Sequence, residues 1–123
     1  MPISTKTDRS KDLTVFTATG ELTFAGQIAA MKEFYEGNPT KNELWDLRGI
    51  TGSRISSEEL LQVTLFTKQY GHKRQGGKSA MVMNSDLDYG LGRMSGTYGE
   101  TEQLPWEVMA FRSIDEALAW LDE

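Results

Sequence analysis

The amino-acid sequence predicts a single α/β domain over residues 1–123, with a mixed sheet of about five strands and about four helices. The sheet is expected to begin with an antiparallel hairpin and to continue with parallel strands. Two threonine- and valine-rich runs flank a short charged turn. Short apolar runs then alternate with segments whose apolar residues recur every three or four positions, and Ser-x-x-Glu spacings precede two of those segments.

The hairpin and the first helix come first in the chain. Residues 3–7 and 13–19 are rich in Thr, Val and Phe and are separated by the charged turn 8–12, a pattern typical of two antiparallel strands. From residue 24 the apolar residues follow spacings of four, three and four, which predicts a helix that buries one stripe. A Gly-Asn-Pro run at 37–39 ends that helix. The buried stripe consists of Phe24, Ile28, Met31 and Tyr35.

The central strand is predicted at 44–48, because three large apolar residues in four positions are typical of a parallel strand covered on both faces. A polar loop is expected over 50–55, followed by a helix over 57–70. Ser56 and Glu59 have the spacing of a capping box, which satisfies unpaired backbone N–H groups at a helix start. The buried stripe of this helix is expected to contain Leu60, Val63, Phe66 or Thr67, and Tyr70.

Two further strands and two further helices complete the alternation. Strands are predicted at 79–83 and 106–111, and a second Ser-x-x-Glu spacing at 113–116 predicts the start of a closing helix. The helix between these strands has an apolar stripe that glycines interrupt, and each interior Gly costs about 1 kcal/mol relative to Ala. We therefore expect it to be the loosest element. Its stripe consists of Leu87, Leu91, Met94 and Tyr98, and its glycines are Gly90, Gly92, Gly96 and Gly99.

Composition excludes several classes of function. A net charge of -5 disfavours non-specific nucleic-acid binding, which depends on neutralising phosphates with Lys and Arg. The absence of cysteine excludes disulfides, thiol chemistry and cysteine-based zinc sites. No apolar run approaches the roughly 18 residues of a membrane span, and no apolar segment follows Met1, so we expect a cytoplasmic protein.

Partial motifs for phosphate, dinucleotide and calcium binding all fail on spacing. The Gly-Lys-Ser run at 77–79 would need a glycine where His72 stands, and a helix where a strand is predicted. The glycines after residue 89 are spaced one residue too widely for a dinucleotide fingerprint, and Gly90 is misplaced for a calcium loop that begins at Asp86. His72 is the only imidazole and lies in a polar connection, where hydration is expected. We predict no catalytic residue, no metal site and no cofactor.

Polar residues follow the strands at what should be one edge of the sheet, because parallel strands end on the same side. In open α/β sheets, ligands and partners commonly bind at that edge. Asp46 is distinctive, since an acid at the end of an apolar strand is expected to be partly buried. Either it accepts backbone N–H groups from the following loop, or it contacts a ligand or partner.

Leu61 and Leu65 form an i, i+4 pair far around the second helix from its buried stripe. They are expected to contact the next helix, a partner chain in a homodimer, or a non-polar ligand. The ligand hypothesis predicts an apolar cleft between the second and third helices, lined by Leu61, Leu65, Leu91, Met94 and Tyr98. A basic run after the second helix could contact acidic lipid headgroups, but charged connections are usually hydrated. That run contains Lys68, Lys73, Arg74 and Lys78.

Several motifs resemble those of the SpoIIAA-like family, over nearly the whole chain. They are Gly20-x-Leu22-Thr23, Trp45-Asp46-Leu47-Arg48, a small-Met-Val strand followed by Asp86 and Tyr89-Gly90-Leu91-x-Arg93-Met94, and the ending Phe111-Arg112-Ser113-x-x-Glu116-Ala117-x-x-Trp120-Leu121. The resemblance implies a STAS-like fold related to the CRAL-TRIO lipid-exchange domains. It also implies a bacterial, non-enzymatic, mostly uncharacterised protein that binds a non-polar molecule or lipid, with peripheral membrane contact.

The same resemblance implies an alternative, a regulator that binds other proteins as the anti-sigma-factor antagonists do. Those proteins carry a switch serine in an Asp-Ser-x-Gly segment at the start of the helix after the central strand. This sequence lacks that Asp and that Gly, and Glu58 and Glu59 would repel a phosphate. The residues assigned to this partner and switch loop are Asp46, Arg48, Ser53, Ser56 and Ser57.

Overall fold

The structure, a computed structural model, describes the backbone of residues 3–53 and 55–123, and their side chains except that of Ser53. The first half of the chain forms β1 (Ile3–Asp8), β2 (Leu13–Leu22), α1 (Phe24–Glu36), β3 (Asn42–Ser53) and α2 (Ser57–Lys68). After a 3-10 turn at Gly71–Lys73 follow β4 (Lys78–Val82), α3 (Asp86–Thr101), β5 (Glu107–Phe111) and α4 (Ile114–Leu121).

The strands form one five-stranded sheet in chain order, β1-β2-β3-β4-β5. β1 pairs with β2 in the antiparallel sense, and the pairs from β2 to β5 are parallel. The predicted α/β fold, with a hairpin, parallel strands and four helices, is thereby confirmed. Because the strands follow one another in chain order, the described sheet has no point where the order reverses and opens a crevice at the strand ends.

The two faces of the sheet are covered unequally. On one face, α1, α2 and α3 cover a large core in which Phe16 stacks on Trp45, with ring centroids 4.2 Å apart. On the other face, α4 packs on β3, β4 and β5 over a smaller core. The smaller core comprises Leu13, Leu44, Ala80, Val82, Ala117 and Leu121.

β3 is longer than predicted. The expected loop over 50–55 is wrong in its first part, because β3 continues to Ser53 alongside the end of β2. β2 itself continues to Leu22 and so offers backbone partners beyond the predicted strand end. A Cβ at Gly49 would lie 3.1 Å from the carbonyl oxygen of Ala18, so glycine permits the close approach of these two strands.

Serine residues cap the N-termini of three helices. Ser56 Oγ accepts the Glu59 N–H at 3.1 Å and the Glu59 carboxylate accepts the Ser56 N–H at 3.0 Å, so the predicted capping box is confirmed. The hydroxyls of Ser85 and Ser113 cap α3 and α4. α2 ends at Lys68, slightly before the predicted end.

Two of the glycines of α3, Gly92 and Gly96, lie where this helix approaches the sheet closely. A Cβ on Gly92 would lie 2.1 Å from Met83 Cε, and a Cβ on Gly96 would lie 3.0 Å from the Val108 carbonyl oxygen. The Glu107 N–H donates toward β4, so the neighbouring Val108 carbonyl points to the outer edge of the sheet. α3 therefore covers part of that edge, which limits pairing with another chain.

Arg74 is buried, and the prediction that the basic connection is hydrated is wrong for this residue. Its side chain is 0 % exposed, and it lies at the amino end of the parallel strands. Burial raises the pKa of the Tyr35 hydroxyl, which stays protonated and accepts from the guanidinium. Hydrogen bonds from the guanidinium to charged and neutral acceptors offset part of the cost of burying it. Its partners are the Glu43 carboxylate at 3.2 Å, the Tyr35 hydroxyl at 3.0 Å, and the Lys41 and Lys78 carbonyl oxygens at 3.1 and 2.9 Å.

The neighbouring lysines each have a protein partner. Lys68 pairs with Glu102 at 3.3 Å, outside the core. Two other ammonium groups donate to backbone carbonyls, from Lys73 to Tyr35 at 2.6 Å and from Lys78 to Trp120 at 2.8 Å. Contact between this basic run and lipid headgroups stays a prediction.

Candidate functional site

β3 carries an ion pair between the partly buried Asp46 and the exposed Arg48, where this strand passes the carboxyl end of β4. Asp46 accepts the Arg48 backbone N–H at 3.2 Å, and its two carboxylate oxygens each accept from the Arg48 guanidinium at 2.9 Å. This hydrogen bonding holds the pKa of Asp46 below its ordinary value of 3.8. The backbone bond predicted for Asp46 is present, although its donor lies in the strand rather than in a loop.

Side chains from the neighbouring strand ends join this pair into a polar surface, which we call the rim. Asn84 Nδ2 donates to the Arg48 carbonyl oxygen at 2.7 Å, and Arg112 Nη2 donates to the Asn84 carbonyl oxygen at 3.0 Å. The Arg112 guanidinium also pairs with Asp86 at the start of α3. The residues that follow β4 and β5 thus meet the adjoining part of β3 at one edge, as predicted, although β3 itself continues to Ser53. The rim consists of Asp46, Arg48, Asn84, Asp86 and Arg112.

The predicted switch serines differ in availability. Ser56 uses its hydroxyl as the cap of α2, so modification there would remove the cap. Ser57 is exposed at the first helical position, where unpaired N–H groups favour an anion. The side chain of Ser53 lies outside the described residues, and its proposed role stays a prediction.

The five residues of the predicted apolar cleft lie on α2 and α3, which contact each other. Leu65 is 39 % exposed and Met94 is 36 % exposed, whereas the other three are half-buried. Whether this surface binds a ligand or a second copy of the chain stays a prediction. The half-buried residues are Leu61, Leu91 and Tyr98.

Two small cavities lie beneath these helices, against the sheet. The outer cavity, of about 40 Å³, is mainly apolar and reaches the start of α2 and α3, since Ile55, Leu60 and Leu91 line it. The second cavity, of about 50 Å³, is lined by residues that include Gln27 and Trp106, and we call it the inner cavity. Pockets for drug-sized ligands measure about 300–1,000 Å³, so a ligand of that size would require the helices to separate.

Leu87 is the most exposed of the large apolar side chains, at 77 %. Its spacing with Leu91 assigns it to the buried stripe, and that expectation is wrong. The first turn of α3 begins at Asp86, after three residues that follow the end of β4, and the exposure of Leu87 shows that this turn is not covered by the sheet. Asp88 in the same turn lines the mouth of the outer cavity with Ile55, which locates the starts of α2 and α3 next to each other.

Comparison with known proteins identifies the fold. No family model matches the chain, and no similar curated protein was found. An uncharacterized protein of the DUF3478 family with a SpoIIAA-like fold, from Shewanella loihica, matches 97% of this chain and 91% of its own, with 19% identity and a TM-score of 0.60. The chain of 123 residues therefore has the SpoIIAA-like fold. The SpoIIAA-like resemblance predicted from the motifs is confirmed at that level, and the relation to CRAL-TRIO domains stays a prediction.

Two other structures with the SpoIIAA-like fold carry a functional description. An anti-sigma factor antagonist from Mycobacterium paratuberculosis matches 98% of this chain and 95% of its own, with 15% identity and a TM-score of 0.65. The anti-sigma factor antagonist SpoIIAA in its unphosphorylated form matches 95% of this chain and 94% of its own, with 9% identity and a TM-score of 0.59. At these identities the likeness concerns the fold alone.

Among the described residues, the rim brings together two arginine–carboxylate pairs and no histidine. His72 is exposed in the 3-10 turn, which belongs to the opposite end of the sheet. Over residues 3–53 and 55–123, no three acidic or histidine side chains are grouped so that they could hold a metal ion. Within those ranges no helix has the length and apolar character needed to cross a bilayer.

Proposed function

We propose that this SpoIIAA-like domain is a protein-interaction regulator resembling an anti-sigma-factor antagonist, whose partner binds the rim and the first turn of α3. The observation that carries the proposal is the exposure of Leu87, 77 %, directly beside the polar rim. Burying such a side chain in a partner would contribute about 1.5–3 kcal/mol. A central apolar anchor with polar groups around it is the usual anatomy of a protein–protein interface.

The charges of the rim suit a partner with mixed charge. Arg48 and Arg112 have side chains 42 % and 46 % exposed, and Asp86 is 96 % exposed. Exposed charges of this kind favour correct orientation and fast association more than affinity. Two of the structures with this fold are anti-sigma factor antagonists, which supports a protein as the partner.

Binding rather than catalysis is the proposed activity. The ionisable groups of the rim are already arranged in pairs, Asp46 with Arg48 and Asp86 with Arg112. Such pairs hold charges in place for recognition, but they supply neither an activated nucleophile nor a general base with its own orienting group.

We propose Ser57 as the serine switch of this regulator. Its side chain is exposed at the start of α2, whereas the Ser56 hydroxyl is held by the cap. A phosphate on Ser57 would add negative charge next to Glu58, near the proposed partner surface. Phosphorylation would therefore weaken the binding of an acidic partner and strengthen the binding of a basic partner.

Affinity capture with two matched variants tests the proposal. Leu87→Asp introduces a charge into the proposed interface, and Leu118→Asp makes the same change on α4, where Leu118 is 41 % exposed on the opposite face of the sheet. We expect wild type and Leu118→Asp to retain the same protein from a lysate of the native host. Leu87→Asp should bind it about 30-fold more weakly, as for a hot spot worth about 2 kcal/mol.

Equal binding by both variants would show that the first turn of α3 is not part of the interface. Adding ATP to the same lysate tests the switch separately, since mass spectrometry then reports phosphate on Ser57 in wild type and none in Ser57→Ala. Absence of phosphate would leave partner binding intact and eliminate the switch.

Binding of a non-polar molecule or lipid is the second candidate. The outer cavity favours it, because its mainly apolar lining lies under a helix whose glycines, such as Gly90, resist unwinding less than alanine would. Native mass spectrometry after incubation with a lipid extract should then detect a bound species. Substituting Leu91→Trp, which fills the cavity, should abolish that species, and its persistence would contradict this candidate.

A further inference from the structure

The inner cavity differs from the outer one in the polar groups around it. Both lie between the sheet and the helices above it, and Gln27, Met81 and Ser95 line both. The wall of the inner cavity additionally contains Glu43 and Trp45, from the same face of β3. Two cavities of similar size, about 40 and 50 Å³, therefore adjoin each other with different chemistry.

Three residues in the wall of the inner cavity each carry a buried polar atom that has no hydrogen-bond partner among the described residues. These atoms are Gln27 Oε1, Glu43 Oε2 and Trp45 Nε1. Their residues are 9 %, 4 % and 3 % exposed, so bulk solvent does not satisfy these atoms. Native proteins leave few buried polar groups unpaired, and three around one cavity indicate an occupant.

The other carboxylate oxygen of Glu43 is already occupied. Glu43 Oε1 accepts from Ser79 Oγ at 2.8 Å and from Arg74 Nη1 at 3.2 Å, which leaves Oε2 as the free side of the carboxylate. The indole of Trp45 is stacked on Phe16 with an interplanar angle of 7°, so it cannot easily rotate toward another acceptor. The occupant must therefore donate to two oxygens and accept from one N–H.

We propose that the inner cavity is a hydration site, in which ordered water donates to Glu43 and Gln27 and accepts from Trp45. Each enclosed water needs about 10–15 Å³ and two to four polar partners, so about 50 Å³ accommodates roughly three waters. Because all three atoms are buried, the proposal requires small shifts of the Gln27 amide, the Glu43 carboxylate and the Trp45 indole toward the water. The outer cavity, lined mainly by Leu, Ile and Met side chains, stays dry.

A high-resolution crystal structure of the full chain, determined with and without xenon, tests the difference between the cavities. We expect water density within hydrogen-bond distance of Glu43, Gln27 or Trp45 in the inner cavity, and xenon in the outer cavity only. Xenon in the inner cavity would overturn the proposal. So would an empty inner cavity with a direct hydrogen bond between Gln27 and Glu43.

Thermal unfolding of two variants gives an independent test in solution. Gln27→Leu removes one hydrogen bond to the proposed water, and Gln62→Leu makes the same change at an exposed position of α2. We expect a lower unfolding midpoint for Gln27→Leu and little change for Gln62→Leu. A higher midpoint for Gln27→Leu would overturn the proposal, because removing a truly unpaired buried acceptor is stabilising.

Discussion

The amino end of the parallel strands and the rim at their carboxyl end each carry an arginine–carboxylate pair, and the two pairs differ in surroundings rather than in chemistry. Arg74 and Glu43 are 3.2 Å apart with side chains 0 % and 5 % exposed. Arg48 and Asp46 are closer, at 2.9 Å, but 42 % and 16 % exposed. The Arg48–Asp46 pair therefore has the shorter distance, but water and salt screen its attraction more strongly.

This difference separates the two ends by role. At the amino end the two charged side chains cannot separate without disrupting the core. Removing either partner therefore leaves the other charge buried and uncompensated. At the rim either charge can exchange its partner for water or for a binding protein at small cost. The amino end therefore stabilises the fold, and the rim remains available for recognition.

The largest expected effect follows from removing the buried arginine. Arg74→Ala leaves Glu43 charged and buried, and it should lower the free energy of unfolding by about 3–5 kcal/mol. Arg48→Ala removes the exposed counterpart and should cost at most about 1 kcal/mol. Urea unfolding of both variants measures the comparison, and equal losses would show that burial does not distinguish the two ends.

A glycine at each end gives the next largest effect. A Cβ on Gly77 would lie 2.0 Å from the Lys41 carbonyl oxygen, so Gly77→Ala forces backbone to move and should cost about 1–3 kcal/mol. Gly90 in α3 has nothing within 4 Å of its Cβ position, so Gly90→Ala should add up to about 1 kcal/mol of helix stability. The two variants should shift the urea midpoint in opposite directions. Shifts of the same sign would contradict the difference in packing between Gly77 and Gly90.

The order of the elements and their caps could be predicted because they depend on local patterns. Ser56 and Glu59 are three residues apart, and their reciprocal hydrogen bonds need nothing from the rest of the chain. The burial of Arg74 could not be predicted, since it depends on Glu43 and Tyr35, which are distant in sequence. A basic residue in a polar connection gives no local sign of such partners.

The candidate site was predictable in position but not in its details. Parallel strands joined by helices bring Arg48, Asn84 and Arg112 to one edge, and their hydrogen bonds follow. The exposure of Leu87 was missed because helical periodicity shows which side chains share a face, but not where the sheet beneath that face ends. The extra length of β3 was missed for a similar reason, since it depends on pairing with β2.

The smallest effect, a dependence of stability on pH, isolates the exposed pair. Arg48 lowers the pKa of Asp46, so the carboxylate contributes stability above its ordinary pKa of 3.8 and loses it as pH falls through the lowered value. Asp46→Asn should therefore cost at most about 1 kcal/mol at neutral pH and nothing once wild-type Asp46 is protonated. In an Arg48→Gln background the same substitution should lose most of its pH dependence, because the main cause of the lowered pKa is gone. Urea unfolding across that pH range measures all four proteins, and an unchanged pH dependence without Arg48 would assign the lowered pKa to another group.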